Sequence, residues 1–452
     1  MSSLQNPMQA FDGLPIRQAV FRQIFPAVAS QMITLIYNLA DTYFVGLLNQ
    51  PSQTAAITVV YSPFLMLTAI SNLFGVGGAS ALARALGHKA PDKAREIAAI
   101  SFWWGAAGSL VFCALFWVFA TPILSLCGAT ADTLPIALGY AKWAVVIGGP
   151  ATILNTLLAN LIRAEGKAGQ ASFGVSMGGI ANLVLDPLFI LPQFLGLGAV
   201  GAGIATCLSN VLSVVYFLLC LVRQRNESVI GLHPRHLRHS RKYLGNILAI
   251  GFPSALQYAL TVVAVAAQSR FVSQYTTEAV AALGIVKKLD QLPLYFSIGV
   301  SNGLLPLLAY HYAAGQQEKR RAAFRLGAGI SLLFALVCLV LFEGFAPQLA
   351  ALFIDDATPI HYAAGFLRRM VIAMPMMSLC YPLIIQFQAM GKARESLVCS
   401  ILRKGVLDIP LLFLMDTLLP LYGCMWVQPM VDGISLVAAT AFYRRLRRRG
   451  EA

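Results

Sequence analysis

Long apolar stretches with few charges recur along the whole chain, separated by short polar or basic segments. A helix needs about 20 apolar residues to cross the ~30 Å hydrocarbon core of a membrane. We count a first helix at about 20–47 and divide the longer stretches at Gly and Pro turns, which predicts twelve membrane-spanning helices. The other charge-poor stretches are 54–83, 97–131, 143–162, 187–222, 243–269, 291–310, 326–342, 370–391 and 417–431.

Composition supports a membrane protein. The mean hydropathy is +0.71 and only 12% of residues are charged, against about 25% in a soluble domain. The eight Cys and six His show no metal-ligand or disulfide spacing, and the cysteines stand singly in apolar segments. We therefore expect an all-α integral membrane protein without a metal or organic cofactor.

The basic residues predict the orientation of the helices. A net charge of +14 would suggest a nucleic-acid partner in a soluble protein, but here the Lys and Arg residues cluster in alternate connections. Under the positive-inside rule, both termini and every even-numbered loop are cytoplasmic, and no nucleic-acid partner is expected. The clusters are 84–96, 163–169, 223–242, 317–325, 391–395 and 444–449.

The chain contains an internal repeat. "VLDPLF" (184–189) is echoed by "VLDIPLLF" (406–413), and other matched pairs follow in the same order at shifts of 222 to 230 residues. The repeat predicts two six-helix bundles, 1–222 and 243–452, joined by a basic cytoplasmic linker, 223–242. Parallel repeats of this kind are common in secondary transporters, with the substrate path between the halves.

Two aspartates lie inside predicted helices of the first half without a basic partner. Asp41 in helix 1 and Asp186 in helix 5 are placed at similar depth by the helical rise. Asn38 precedes the first acid by three residues and Asn182 precedes the second by four, so each amide shares the helix face of its acid. A buried structural acid is the alternative, but an intramembrane carboxylate without a base predicts a site for a proton or a cation.

Other polar residues lie within reach of this zone or face the expected cavity. Tyr140, Asn155 and Thr206 belong to the two inward-running helices 4 and 6. Gln31 and Gln257 occupy matched places in helices 1 and 7, where a lipid-facing amide would be costly.

Aromatic side chains and one proline complete the candidate residues of the cavity and of helix 1. Tyr37 and Tyr258 either line the cavity, together with Asn38, or pack between helices. Pro26 lacks an N–H and is a candidate hinge in helix 1.

The second half also carries acids within predicted helices, but with bases nearby. Lys287 stands three residues before Asp290, and Arg403 and Lys404 precede Asp408 by five and four. These spacings predict mainly structural same-helix ion pairs. Asp432 has no such local base, so its role is left open.

Several motifs resemble the multidrug and toxic compound extrusion (MATE) transporters. They are a helix-1 proline followed by "YNLADTYFVG" (37–46), "GVGGASALARALG" (75–87), "RAEGKAG" (163–169) and "NLVLDPLFI" (182–190). The resemblance runs from about residue 15 to 445 and is closest to the branch of the DNA-damage-inducible and staphylococcal-type exporters.

The resemblance implies a function and a site. It implies two bundles around a cavity that opens alternately to each side, and export of amphipathic, often cationic or aromatic compounds in exchange for H⁺ or Na⁺. Carried over by position, the family's cation site comprises Asp41, Asn182, Asp186 and Thr206, with Tyr140 and Asn155 nearby. A second family site does not carry over, because 251–268 and 374–388 contain no acid.

Three other functions remain as alternatives. A flippase for lipid-linked precursors would need a basic cavity, for which Arg270, Arg368 and Arg369 are candidates. An exporter of one dedicated metabolite would share the same fold. A membrane enzyme would need a catalytic cluster, which the sequence does not show. Without an ATP-binding motif, an ion gradient is the expected energy source, and a monomer in the cytoplasmic membrane is the expected form.

Overall fold

The computed structural model describes residues 11–354 and 356–451, which are helical and contain no β-strand. The helices are α1 (Ile16–Gly46), α2 (Pro51–Gly87), α3 (Pro91–Val118), α4 (Ala120–Leu126), α5 (Leu134–Ala141), α6 (Gly149–Ala164), α7 (Ala168–Ile190), α8 (Gly198–Arg223), α9 (Ser240–Val272), α10 (Thr277–Ala313), α11 (Gln317–Gly344), α12 (Ala346–Ala351), α13 (Ala357–Met370), α14 (Ala373–Ala389), α15 (Ala393–Arg403), α16 (Asp408–Leu418) and α17 (Gly423–Arg448). A π-helical segment, Lys142–Ile147, follows α5, and a 3₁₀ turn, Pro234–His239, precedes α9.

The all-α membrane fold predicted from the sequence is confirmed. In the described residues, eight helices are long and apolar enough to cross a membrane, and two bent pairs bring the number to ten. Helices α15 and α16 have only 11 residues each, and the 26 residues of α17 end in a run of arginines. The count of twelve spans and the cytoplasmic position of the termini therefore stay predictions.

The two bent pairs occupy equivalent places in the two halves. Leu134–Ile147 meets α6 at 43°, and α13 meets α14 at 47°. The first bend coincides with the π-helical segment and with Gly148, Gly149 and Pro150, and the second lies just before Pro375. Proline, glycine and π-turns are the usual causes of sharp bends. The same distortion in both halves supports an internal repeat.

The distribution of apolar side chains is that of a protein surrounded by lipid. Large aliphatic residues on the outside are widely exposed, for example Val340 at 67% and Val437 at 71%. Polar residues such as Asn182, Asp186 and Gln257 are instead buried between helices. In water such an apolar surface would drive association, whereas in a bilayer it needs no protein partner.

The two halves meet along α1, α2, α9 and α10, and the contact between α2 and α9 is the most extensive. Gly77 of α2 lies against the carbonyl of Ile247, and Gly251 of α9 lies against the carbonyl of Leu73, so a Cβ at either glycine would collide with backbone. Close approach of two helix backbones through small residues is a common way to join membrane helices.

We expect Gly251→Val to destabilise the contact between the halves, whereas Gly245→Val on the same helix has little effect. A side chain at Gly251 must displace backbone atoms, and such overpacking costs about 1–3 kcal/mol. The space around Gly245 is open, and this residue is exposed. Thermal unfolding of the two purified variants checks the prediction. Equal unfolding temperatures would show that the α2–α9 contact does not limit stability.

Residues 11 and 12, at the start of the described chain, also contact the second half. Phe11 stacks on Tyr310 of α10 at 4.9 Å, and the Tyr310 hydroxyl donates a hydrogen bond to Asp12 at 2.9 Å. Lys319 completes the contact at 3.1 Å. Burial raises the pKa of Asp12, but hydrogen bonds from Gln316, Lys319 and Tyr310 outweigh it, so this pKa lies below its usual value. The contact is therefore strongest above the ordinary pKa of an aspartate and weakens as the pH falls through the lowered value.

The basic loops lie together at one end of the helices, which we call the basic end (84–96, 163–169, 223–242, 317–325, 391–395 and 444–449). There Trp103 donates to the carbonyl of Leu232, His239 lies 3.0 Å from Glu96, and Ser80 donates to the carbonyl of Gln388. In the described part of the chain, the hydrogen bonds that join the two halves or the linker lie at this end, apart from the one from Asn38 to Tyr295. The hydrogen bonds between the halves are therefore concentrated at the basic end.

Candidate functional site

Asp41 and Asp186 lie on two helices that pack against each other, α1 and α7. The contact is close because Gly179 of α7 lets the Tyr37 ring of α1 approach, and a Cβ there would lie 2.9 Å from Cδ1 of Tyr37. Asp41 follows Tyr37 by four residues, and Asn182 and Asp186 follow Gly179 by three and seven. These intervals keep each set on one helix face. The two acids are thereby within electrostatic range of each other.

The hydrogen bonding of this acid pair is incomplete. The Asn182 amide donates to Oδ1 of Asp186 at 3.2 Å. Oδ1 of Asp41, Oδ2 of Asp186 and Oδ1 of Asn182 are buried and have no hydrogen-bond partner within the described residues. Buried polar atoms in proteins are nearly always paired, so three unpaired oxygens in one place require an explanation. Such a set of oxygens can hold a proton between its carboxylates or coordinate a hard cation.

The charge of the acid pair is not balanced by a base. Among the residues described, its electrostatic neighbours are the hydroxyl groups of Tyr37 and Tyr140, and neither acid forms an ion pair. An uncompensated carboxylate in an apolar surrounding is costly, so uptake of a positive charge at this place is favourable.

Of the three further predicted residues, Tyr140 is the one that interacts electrostatically with the acid pair in the described residues. Tyr140 is buried and contacts α8 at Gly203. Thr206 is buried one turn along α8. The Asn155 amide donates to Asn210 at 2.8 Å, and Asn210 donates to the carbonyl of Thr206 at 2.9 Å. Asn155 and Thr206 are thus joined through Asn210 rather than to the carboxylates.

Two of the predicted cavity residues, Asn38 and Gln257, donate hydrogen bonds to tyrosines of the second half. The Asn38 amide donates to the hydroxyl of Tyr295 in α10 at 3.3 Å, which links the two halves. The Gln257 amide donates to the hydroxyl of Tyr381 in α14, also at 3.3 Å. Gln31 is half-buried and makes no hydrogen bond within the described residues. Pro26 lies inside the continuous helix α1, and its role as a hinge stays a prediction.

The structure groups three further tyrosines with Tyr37 and Tyr258 that the sequence did not single out. They are Tyr61, Tyr295 and Tyr381. Tyr258 has Tyr381 and Tyr61 as electrostatic neighbours, and Tyr295 has Tyr61, Tyr37 and Tyr258. These side chains are half-buried, except for Tyr61, which is exposed. Five tyrosines, each from a different helix, therefore group together across both halves. The sequence carries no signal for this grouping, because the interactions join helices that are distant in the chain.

The predicted ion pairs of the second half are wrong. Arg403 pairs with Asp432, at 3.0 Å, instead of Asp408. Helix α15 ends at Arg403 and Lys404 has extended backbone, so the helical spacing to Asp408 does not apply. Asp408 instead accepts a hydrogen bond from the backbone N–H of Gly405 at 2.8 Å.

Lys287 and Asp290 do lie within electrostatic range of each other, but they form no ion pair in the described residues. Lys287 and Asp290 are three residues apart on α10, so they share one helix face. Their charged groups nevertheless do not come within contact distance of each other. The structure therefore gives each of them no direct charged partner.

Fold and site together define a multi-pass α-helical membrane protein with two similar halves and a buried, uncompensated acid pair between α1 and α7. Comparison with known families agrees with this class: the MatE family model matches residues 26–188 and again 253–414. The chain belongs to the MATE family of transporters, which confirms the resemblance seen in its sequence. In bacteria, such multi-pass proteins are located in the cytoplasmic membrane.

Similar proteins cover nearly the whole chain. The multidrug export protein MepA of Staphylococcus aureus (strain MRSA252) is 26% identical over 439 residues, 97% of this chain and 96% of that protein. MepA of Staphylococcus saprophyticus is 28% identical over 425 residues, 94% of this chain and 92% of that protein.

Solved structures share the fold. A crystal structure of MATE in complex with MaD3S has a TM-score of 0.89 at 24% identity, with 98% of both chains covered. An outward-facing multidrug resistance MATE family transporter has a TM-score of 0.88 at 23% identity and the same coverage.

Proposed function

We propose that this protein is a secondary antiporter that exports amphipathic, cationic or aromatic compounds in exchange for H⁺ or Na⁺. The observation that carries the proposal is the uncompensated pair Asp41 and Asp186, which with Asn182 leaves three buried oxygens without a hydrogen-bond partner in the described residues. The names of the staphylococcal relatives, which are multidrug exporters, support the substrate class. One chain supplies both walls of the space, so a monomer is sufficient.

The proposed cycle uses the two ends of the space alternately. The described residues form hydrogen bonds between the halves mainly at the basic end, which the positive-inside rule predicts to be cytoplasmic. In the proposed cycle this arrangement corresponds to the outward-open state. H⁺ or Na⁺ entering from the open side neutralises the acid pair. Substrate then leaves to the outside, and the protein returns to the inward-open state with the ion bound.

The coupling runs through α1. This helix carries Asp41 near its far end, bonds to the second half through Asn38, and packs on α10 toward the basic end. Neutralisation of Asp41 removes the cost of burying its charge and so favours a tighter packing of α1 on α7. Pro26, which leaves one carbonyl of α1 without its backbone donor, is where we propose the helix adjusts. An ion drives such a change only through its different affinity for the two states.

The three arginines that favour a flippase do not form a basic cavity in the described residues. Arg270 is exposed. Arg368 lies 3.8 Å from Glu343, and both are about half exposed. Arg369 stacks on Tyr422 at 4.2 Å and donates to the carbonyl of Gly365. The drug antiporter is therefore the better-supported function.

Efflux of ethidium under separately imposed ion gradients tests the proposal. Membrane vesicles containing the protein are loaded with the dye, and a proton gradient or a sodium gradient is applied. We expect one of the two to drive efflux, which identifies the coupling ion. Intact protein in the membrane without gradient-driven efflux would contradict the proposal and direct the search toward a dedicated metabolite or a lipid-linked substrate.

A further inference from the structure

The C-terminal end of α17 carries the densest run of charge in the chain. It reads "RRLRRR" (444–449), five arginines in six residues. All five side chains are exposed, and none of them forms an ion pair in the described residues. A helix dipole favours basic residues in the last turn, but it does not determine on which side of the helix they lie. The arrangement of these arginines therefore needs a further explanation.

The arginine run is not balanced by acids of its own. Each of the other five clusters of the basic end contains at least one Asp or Glu, whereas 444–449 contains none. Glu451 follows the run closely and acts on Arg449 at a distance. Its carboxylate, however, forms an ion pair with Lys392. The run therefore retains a positive charge that the described residues do not neutralise.

Four of the five arginines surround one open cleft of about 390 Å³, which we call the arginine cleft. Its lining consists of Ala441, Arg444, Arg445, Arg448 and Arg449. The arginines form two pairs, 444 with 448 and 445 with 449, and the members of each pair are neighbours on the helix surface. Like charges at this spacing repel each other, and an anion in the cleft removes that cost. Arg447 does not belong to the lining.

The arginine cleft continues an apolar surface of the same helix. Ile434 and Val437, 43% and 71% exposed, precede Ala441 by seven and four residues. These intervals place the exposed apolar side chains and the cleft on one face of α17. The other face is packed against the protein through Asp432, Ser435, Ala439 and Leu446. The outer face thus passes from an apolar surface, suited to acyl chains, into a cationic cleft.

We propose that the arginine cleft binds the headgroup of an anionic phospholipid in the membrane leaflet at the basic end. The acyl chains lie along the apolar face of α17, and the phosphate oxygens accept hydrogen bonds from the guanidinium groups, whose planar geometry suits phosphate. Two arginine pairs match two phosphates, so cardiolipin, which has two, binds more tightly than phosphatidylglycerol, which has one. The site goes beyond the proposed export function and does not depend on it.

Counting bound lipids on the purified full-length protein tests the site. The protein, in an uncharged detergent, is titrated with cardiolipin, phosphatidylglycerol or phosphatidylcholine, and the bound lipid is measured by native mass spectrometry. The variants are Arg448→Gln and the double variant Arg444→Gln with Arg448→Gln. Arg447→Gln is the matched control, because it removes the same charge from the same run but from outside the cleft.

We expect Arg448→Gln to lower the affinity for cardiolipin by about fivefold and the double variant to lower it by about 25-fold, the order expected for arginines at an anionic headgroup. Arg447→Gln changes the affinity by less than about twofold, because its guanidinium does not reach the cleft and the remaining effect is screened. Binding of phosphatidylcholine, which has no net charge, is the same in all variants. Inorganic phosphate at the concentration of the lipid does not displace cardiolipin, since it lacks the acyl chains.

Four results would overturn the site. Equal losses in Arg448→Gln and Arg447→Gln would show that lipid responds only to the overall charge of the run. Unchanged cardiolipin binding in the double variant would show that the cleft holds no headgroup. Displacement by inorganic phosphate would assign the cleft to a soluble anion. An equal loss of all three lipids, together with a lower unfolding temperature of the lipid-free variant, would assign the effect to the fold.

Discussion

Asp41→Asn abolishes gradient-driven efflux while the protein stays folded in the membrane. The amide is nearly isosteric with the carboxylic acid but cannot release a proton, and it offers a cation no negative charge. The site then always resembles the neutral acid. The coupling ion no longer binds one conformation more tightly than the other, and that difference in affinity is what drives the cycle. Asp186→Asn acts in the same way, because the two acids form one site.

Stability separates this loss from unfolding. An uncompensated buried carboxylate is a cost to the folded state, so its replacement by an amide leaves the unfolding temperature unchanged or raises it. Ethidium efflux and thermal unfolding are measured on the same preparations. Asp132→Asn, at an exposed acid in the loop before α5, is the matched control and retains efflux. Full efflux by Asp41→Asn at normal expression would show that this aspartate has no essential coupling role.

Asp432→Ala has the largest expected effect on stability. It leaves Arg403 in a place where the guanidinium is 1% exposed and has lost its only ion pair within the described residues. Breaking a buried pair by removal of one partner costs about 3–5 kcal/mol, because the remaining charge is not compensated. We expect a clear fall in the unfolding temperature of the purified protein and a lower yield in the membrane.

A double variant and a surface control show whether the effect comes from the unpaired charge. Arg403→Met combined with Asp432→Leu removes both charges and fills similar volume, so it should recover most of the stability. Glu343→Gln removes the partner of Arg368 from an exposed pair and should cost at most about 1 kcal/mol. If the double variant is as unstable as Asp432→Ala, the loss reflects packing and hydrogen bonds rather than charge.

The helical membrane fold could be predicted from sequence because it follows from apolar content and segment length alone. The first helix, expected at about 20–47, extends over Ile16–Gly46. The juxtaposition of Asp41 and Asp186 was also accessible, since a constant rise per residue converts sequence position into depth. Both inferences depend on properties of single helices.

Contacts between helices distant in sequence could not be predicted in this way. Arg403 and Asp432 are 29 residues apart, and Asn38 and Tyr295 are 257 apart. The same-helix rule selected Asp408 as the partner of Arg403, but the end of α15 changes the direction of the chain between them. The connection of Asn155 to Thr206 through Asn210 likewise depends on the packing of α6 on α8.

The presence of two carboxylates on one wall has a consequence for the energetics of transport. When both carry a proton inward and one monovalent cation leaves, one net positive charge enters the cell per cycle. Such an exchange is electrogenic, so an inside-negative membrane potential contributes about 2.3 kcal/mol per 100 mV in addition to the concentration gradient of the ion. For a zwitterionic substrate, two charges enter and the contribution doubles. The rate of export would then depend on membrane voltage to a degree set by the charge of the compound exported.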